Sequence, residues 1–137
     1  MKGTGLIVIV AAALSLAGLS SSLAASDSAS RAATVSTAKT NLGKIIANGR
    51  GRTLYLFERD KHGKSACSGA CAKYWPPLIT HGKPVAAGGA KQALLGTIKR
   101  SNGARQVTYA GHPLYTYLLD TRRGQTSGEG STLFGVL

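Results

Sequence analysis

The stretch that decides the fold is Tyr55-Leu56-Phe57-Glu58-Arg59-Asp60, because its pattern returns as Tyr115-Thr116-Tyr117-Leu118-Leu119-Asp120. Each copy reads aromatic, any residue, aromatic, two residues, aspartate. A leucine precedes each (Leu54, Leu114), and a basic, glycine-containing turn follows each. Repetition at a fixed offset predicts a domain assembled from two copies of one unit. A feature present twice also points to architecture before catalysis.

Strand signals surround both copies. Residues 43–47 form a short apolar run closed by Asn48-Gly49, and residues 52–59 resume an extended pattern. Tyr55 and Phe57 would share one face, with Leu54 and Leu56 on the other, as in a central strand covered on both sides. In the second half, residues 95–100 lead through Asn102-Gly103 to a strand over 105–109. A turn at 110–113 follows, then a strand over 114–119 and a last short one over 131–137. Helix signals are few: one or two turns over 68–74, stopped by Pro76-Pro77, and a single turn over 91–95. The expected fold is all-β: a small antiparallel β domain of two pseudo-symmetric repeats, about 43–80 and 94–137, with a short helical turn near the cysteine pair. Neither half would bury a sheet face alone, so the two should pack as one unit.

The N-terminus reads as a targeting segment. Lys2 supplies positive charge, residues 5–19 are nearly all apolar but too short to span comfortably, and Ser22-Leu23-Ala24 resembles a signal cleavage site. We expect a signal peptide over 1–24, cleaved after Ala24, with no transmembrane segment remaining. The Ser/Ala/Thr-rich stretch 25–40 has little to bury and is expected to be a flexible linker to a β-repeat domain over 41–137. That domain, roughly a hundred residues, can bury about two-thirds of its extended surface. Seventeen Lys plus Arg stand against five acids, a formal net charge of +12. In an exported protein this favours anionic envelope polymers or lipid headgroups as partners. Export and the lack of a recognition helix argue against nucleic acid.

Four residue sets bear on chemistry. Cys67 and Cys71, the only cysteines, are most simply a disulfide; closing so small a loop contributes about 2 kcal/mol. It would pin the turn that feeds the core anchor Trp75-Pro76-Pro77. A redox-active pair is disfavoured, since the spacing is not C-x-x-C. The papain-like nucleophile segment is matched only loosely and is rejected on its cysteine spacing. A second set, His62, His81 and His112, has no helical spacing and no H-E-x-x-H, and reads as turn histidines. Asp60 and Asp120 could form a paired-carboxylate hydrolase site across the pseudo-two-fold axis. The stronger reading is that each accepts backbone N–H bonds and fixes its turn. The aromatic pairs Tyr55/Phe57 and Tyr115/Tyr117 fill a core, or stack on a ligand if exposed. Phosphate-cradling and nucleophile-elbow motifs are missing. We therefore assign no catalytic residue, no cofactor and no metal, and expect a non-enzymatic domain. The alternatives are a redox or metal-binding protein using the Cys pair and histidines, and a hydrolase using Asp60 and Asp120.

These residues resemble one family, the exported repeat proteins and predicted lipoproteins with a Y-x-[FWY]-x-x-D motif. The resemblance runs from about residue 42 to 130. It takes in both motif copies, the S-x-C-x-G-x-C-A-x-x-W-P-P-L block from Ser65 to Leu78, and Gly111-His112-Pro113-Leu114-Tyr115. It implies export to the secreted, periplasmic or envelope space, tandem repeats and no established activity, so it transfers no catalytic residues. Two departures stand out. No lipidation cysteine is present, so the chain is expected to be released or held by charge. Members commonly continue into a Trp-containing final strand, whereas this sequence stops at Leu137, so that edge is short or the sequence truncated.

Overall fold

The computed structural model describes residues 31–61 and 63–131. The expected signal peptide and its expected cleavage site after Ala24, as well as His62 and nearly all of the expected last strand, lie outside the described residues.

Each repeat is a three-strand meander. In the first, β1 (Thr34–Thr40) pairs antiparallel with β2 (Gly43–Asn48). The chain then turns at Asn48-Gly49, where the Asn48 side-chain oxygen accepts the N–H groups of Arg50 and Arg52 at 3.0 Å each. It returns along β2, with Leu54 N donating to Ile46 O at 3.0 Å. The second repeat repeats this path with β4 (Leu95–Lys99), β5 (Arg105–Tyr109) and β6 (His112–Pro113). Leu114 N donates to Val107 O, the counterpart of the Leu54 bond. Registers match as well: Val35 opposes Asn48 as Leu95 opposes Tyr109, and Lys39 opposes Lys44 as Lys99 opposes Arg105. The turn between β5 and β6 places Ala110 (φ 50°) and Gly111 (φ 82°) in left-handed conformations, as a two-residue hairpin turn requires.

The expected linker over 25–40 is corrected by this symmetry. Residues 34–40 are β1, the counterpart of β4, and Val35 is fully buried. Composition averaged over sixteen residues hid the run Thr34-Val35-Ser36-Thr37, in which β-branched Thr34, Val35 and Thr37 suit a pleated surface. The first repeat therefore begins before residue 43.

The expected strands over 52–59 and 114–119 are also shorter than read. Each joins the structure through isolated bridges, at Thr53 and Tyr55 in one and Tyr115 in the other, then turns at 58–59 and 118–119. Leu56 is consequently 41% exposed, so the face of Tyr55 and Phe57 is covered as expected while the opposite face is covered only at Leu54.

Between the repeats, a short helix α1 (Ala70–Tyr74) carries Cys71 of the disulfide and ends before Pro76-Pro77. Residues 76–80 then cross into the second repeat: Leu78 N donates to Leu114 O and Val107 N to Leu78 O. Two-residue β3 (Val85–Ala86) runs parallel to β1, and a 3₁₀ turn over Gln92–Leu94 leads into β4. Alternation along each motif divides the core in two. Leu54 and Leu114 join Val35 and Val107 on one side; Tyr55, Phe57, Tyr115 and Tyr117 join Trp75 and the cysteines on the other.

Candidate functional site

The motif tyrosines meet at the pseudo-two-fold axis. Tyr55 N donates to Tyr115 O at 2.8 Å and Tyr115 N to Tyr55 O at 3.0 Å, so the repeats are joined backbone to backbone there. Both side chains then extend into the opposite repeat. The Tyr55 hydroxyl donates to Asp120 Oδ2 at 2.5 Å, and the Tyr115 hydroxyl donates to Asp60 Oδ2 at 2.7 Å. Each aspartate uses its other oxygen on its own turn: Asp60 Oδ1 accepts Ala66 N at 2.6 Å, and Asp120 Oδ1 accepts Ser127 N at 2.9 Å. Aspartate thus fixes the loop after its motif and fastens that loop to the other repeat's tyrosine. The second aromatic of each motif crosses too, with Phe57 edge-on to Tyr115 at 6.2 Å and Tyr117 edge-on to Tyr55 at 6.4 Å.

Trp75 completes this centre. It is 1% exposed, stacks on Tyr117 at 4.4 Å and meets Tyr55 edge-on at 5.4 Å. Gly128 lies over both rings; a Cβ there would stand 2.8 Å from Trp75 and 2.9 Å from Tyr55. Pro76 and Pro77 are half-buried, and Pro76 contributes its carbonyl to Thr116 N at 2.9 Å. Cys67 and Cys71 form a disulfide with Cα atoms 5.3 Å apart, and both are buried. His81 is exposed at a bend, whereas His112, expected on a turn, is the exposed first residue of β6, far along the chain from it. Among the described residues no group of three or more His, Cys, Asp or Glu side chains gathers as metal ligands would. No helix among them is long and apolar enough to cross a membrane.

Burial, reinforced by the Asp60 carboxylate, pushes the Tyr115 hydroxyl up to about 12, with the Ser65 bond opposing. Tyr55 moves up further, by burial first and by its bond to Asp120 second. An unfolded tyrosine ionises near pH 10. Above that pH the native chain holds protons the unfolded chain has lost, so this stabilisation is intact below pH 10 and falls as pH approaches 12. For Tyr115 the loss is about 2–3 kcal/mol. We expect a melting temperature that declines between pH 10 and 12, with a shallower decline in Tyr115→Phe. Equal declines in both proteins would contradict this account.

Like the disulfide and Trp75, the fixed cation at the end of β4 is not duplicated. There, Arg100 Nη1 donates to Gln106 Oε1 at 2.6 Å and Ser65 Oγ at 2.9 Å, and Nη2 donates to Cys67 O at 2.6 Å. Ser65 Oγ also bonds the Tyr115 hydroxyl at 2.7 Å, which links Arg100 to the clasp. Thr40 and Ile45 occupy the matching places in the first repeat, so no equivalent exists there. The scattered basic residues gave no sequence signal for this site. Comparing the repeats position by position, and asking where a charged residue replaces a neutral one, would have found it.

A profile for a family described as a secreted repeat of unknown function matches residues 36–79 and again 96–134. The two matches begin sixty residues apart and include β1 in the first unit, in accord with the corrected boundary. No curated protein and no solved structure matches the chain.

Proposed function

This chain belongs to the family of secreted repeats of unknown function, and from that premise we propose that it is an exported, non-catalytic domain that associates with anionic surfaces. The observation that carries this reading is its charge: seventeen Lys plus Arg against five acids. Side chains such as Lys39, Lys44, Arg50, Lys61, Lys64 and Lys99 are exposed and lie on both repeats. A surface of one sign attracts polyanions over several ångströms and does so without a shaped pocket.

The residues that the alternative readings need are committed to the scaffold. The cysteines are bonded to each other and nearly sealed from solvent, which favours a structural bridge over redox exchange. A paired-carboxylate hydrolase needs Asp60 and Asp120 to share a proton or a water. Each instead accepts one tyrosine O–H and one backbone N–H, which favours the turn-fixing role.

The test is binding to vesicles containing phosphatidylglycerol as salt is varied. Association governed by distributed charge weakens steeply as the screening length contracts from about 30 Å at 0.01 M salt to about 8 Å at 0.15 M. Salt-independent binding, or no binding at the lowest salt, would contradict the reading.

A further inference from the structure

A cleft of about 290 Å³ opens beside the unduplicated Arg100, between the turn that follows the first motif and the β4–β5 turn. Lys64, Lys99 and Arg100 bring three cations to its walls, and Ser68 and Ser101 add hydroxyls. Among the described residues no carboxylate lines it. Asp60 accepts the Tyr115 hydroxyl, which in turn bonds Ser65 on the cleft wall. All three recorded bonds of the Arg100 guanidinium go to neutral acceptors, so its charge is fixed in place without being cancelled by a direct ion pair. Those bonds leave Nε–H and one Nη2–H of its five donors. Its anchors are themselves fixed, since Cys67 is disulfide-bonded and Gln106 Nε2 donates to Leu114 O at 2.9 Å.

We propose that this cleft binds a phosphoryl group, gripped by Arg100 with Lys64 and Lys99 and by the Ser68 and Ser101 hydroxyls. The proposal rests on the reading of the domain as a binder of anionic surfaces, and names the chemical group one site on it recognises. The cleft, at about 290 Å³, has ample room for a single phosphoryl group. Donor geometry supports phosphoryl over carboxylate. A guanidinium fork and two ammonium groups offer more donors than two carboxylate oxygens accept, and a tetrahedral phosphoryl group presents oxygens in several directions. The site is also singular. The first repeat, with Thr40 and Ile45 in place of Arg100 and Gln106, lacks the fixed cation.

The probes are inorganic phosphate and phosphatidylglycerol vesicles, and the variants leave Arg100 in place because its removal would disturb packing. Lys64→Gln/Lys99→Gln changes two exposed side chains at the cleft. Lys39→Gln/Lys44→Gln removes the same charge from two exposed sites elsewhere. Titration with phosphate at constant ionic strength, followed by amide NMR, should shift resonances of Lys64, Lys99 and Arg100. Affinity should fall about tenfold in the cleft variant, one full step on the binding scale, and stay unchanged in the control. Vesicle binding reduced more in the cleft variant than in the control makes a lipid headgroup the source. Equal reduction with an intact phosphate response makes it a soluble phosphate compound. Acetate acting as strongly as phosphate, or phosphate shifts scattered away from the cleft, would overturn the proposal. Surface binding that persists in that case leaves the broader reading standing. Loss of all vesicle binding by the unaltered protein removes the broader reading, while the phosphate titration still decides the cleft.

Discussion

Asp120→Ala should unfold the domain or bring it close to unfolding. Asp120 is fully buried and accepts two bonds, from the Tyr55 hydroxyl and from Ser127 N. Hydrogen bonds to a charged acceptor contribute about 1.5–3 kcal/mol each. Losing both therefore costs about 3–6 kcal/mol, against a total stability of about 5–15 kcal/mol for a domain of ordinary size. At about 4–8 °C per kcal/mol for a domain near a hundred residues, the melting temperature should drop by at least about 12 °C. Asp120→Asn gives a sharper comparison. Both native oxygens act as acceptors, and an amide has only one, so Asn satisfies one donor and faces the other with its own N–H. Its loss should fall between those of wild type and Ala. Thermal unfolding of the three proteins checks the order. An Asn variant as stable as wild type would contradict the assigned bonds.

Trp75→Ala should cost a similar amount by a different route. The indole is nearly sealed and packs between Tyr55, Tyr117 and Gly128. Truncating a buried tryptophan removes transfer free energy and leaves a cavity, together about 3–5 kcal/mol. Trp75→Phe should be far milder. The buried Trp75 Nε1–H has no acceptor among the described residues, and an unsatisfied buried donor costs about 1–3 kcal/mol. Phenylalanine gives up part of the ring area but also discards that donor. Denaturant unfolding should place Phe much nearer to wild type than to Ala. Equal losses for Phe and Ala would mean the indole nitrogen is not a burden in the native state.

Much of this arrangement was legible in the sequence, and the reasons differ from part to part. Tyr55 and Tyr115 announced the duplication because the constraint acts on side chains at fixed spacing. Asn102-Gly103 and Pro76-Pro77 marked a turn and a helix stop because their backbone preferences are strong and local. Cys67 and Cys71 had no partners but each other. β1 was missed because Val35 is its one fully buried side chain, too little to stand out from its Ser- and Ala-rich surroundings. The crossing of the clasps was hidden for a topological reason. Tyr55 stands five residues from Asp60, yet its hydroxyl reaches sixty-five residues away to Asp120. Spacing within one motif cannot reveal which copy its partner belongs to. Arg100 was hidden because its meaning lies in a difference between repeats rather than in any pattern of its own.

The crossing also explains why the two halves act as one domain. Each post-motif loop lies over the other repeat. Ser65 in the first loop meets Tyr115, and in the second loop Gly124 N reaches Gly51 O at 3.1 Å while Gln125 O accepts the Thr53 hydroxyl. The disulfide fixes the chain just beyond the first loop, which keeps Cys67 O turned towards Arg100. The scaffold and the anion cleft are therefore coupled through Ser65 and Cys67.

The most direct test is a pair of double-mutant cycles, with Tyr→Phe and Asp→Asn as the single changes. Crossed clasps predict that Tyr55 with Asp120, and Tyr115 with Asp60, are coupled by about 1 kcal/mol or more, while Tyr55 with Asp60 is additive within about 0.5 kcal/mol. Coupling confined to residues of the same motif, or additivity across the repeats, would contradict it.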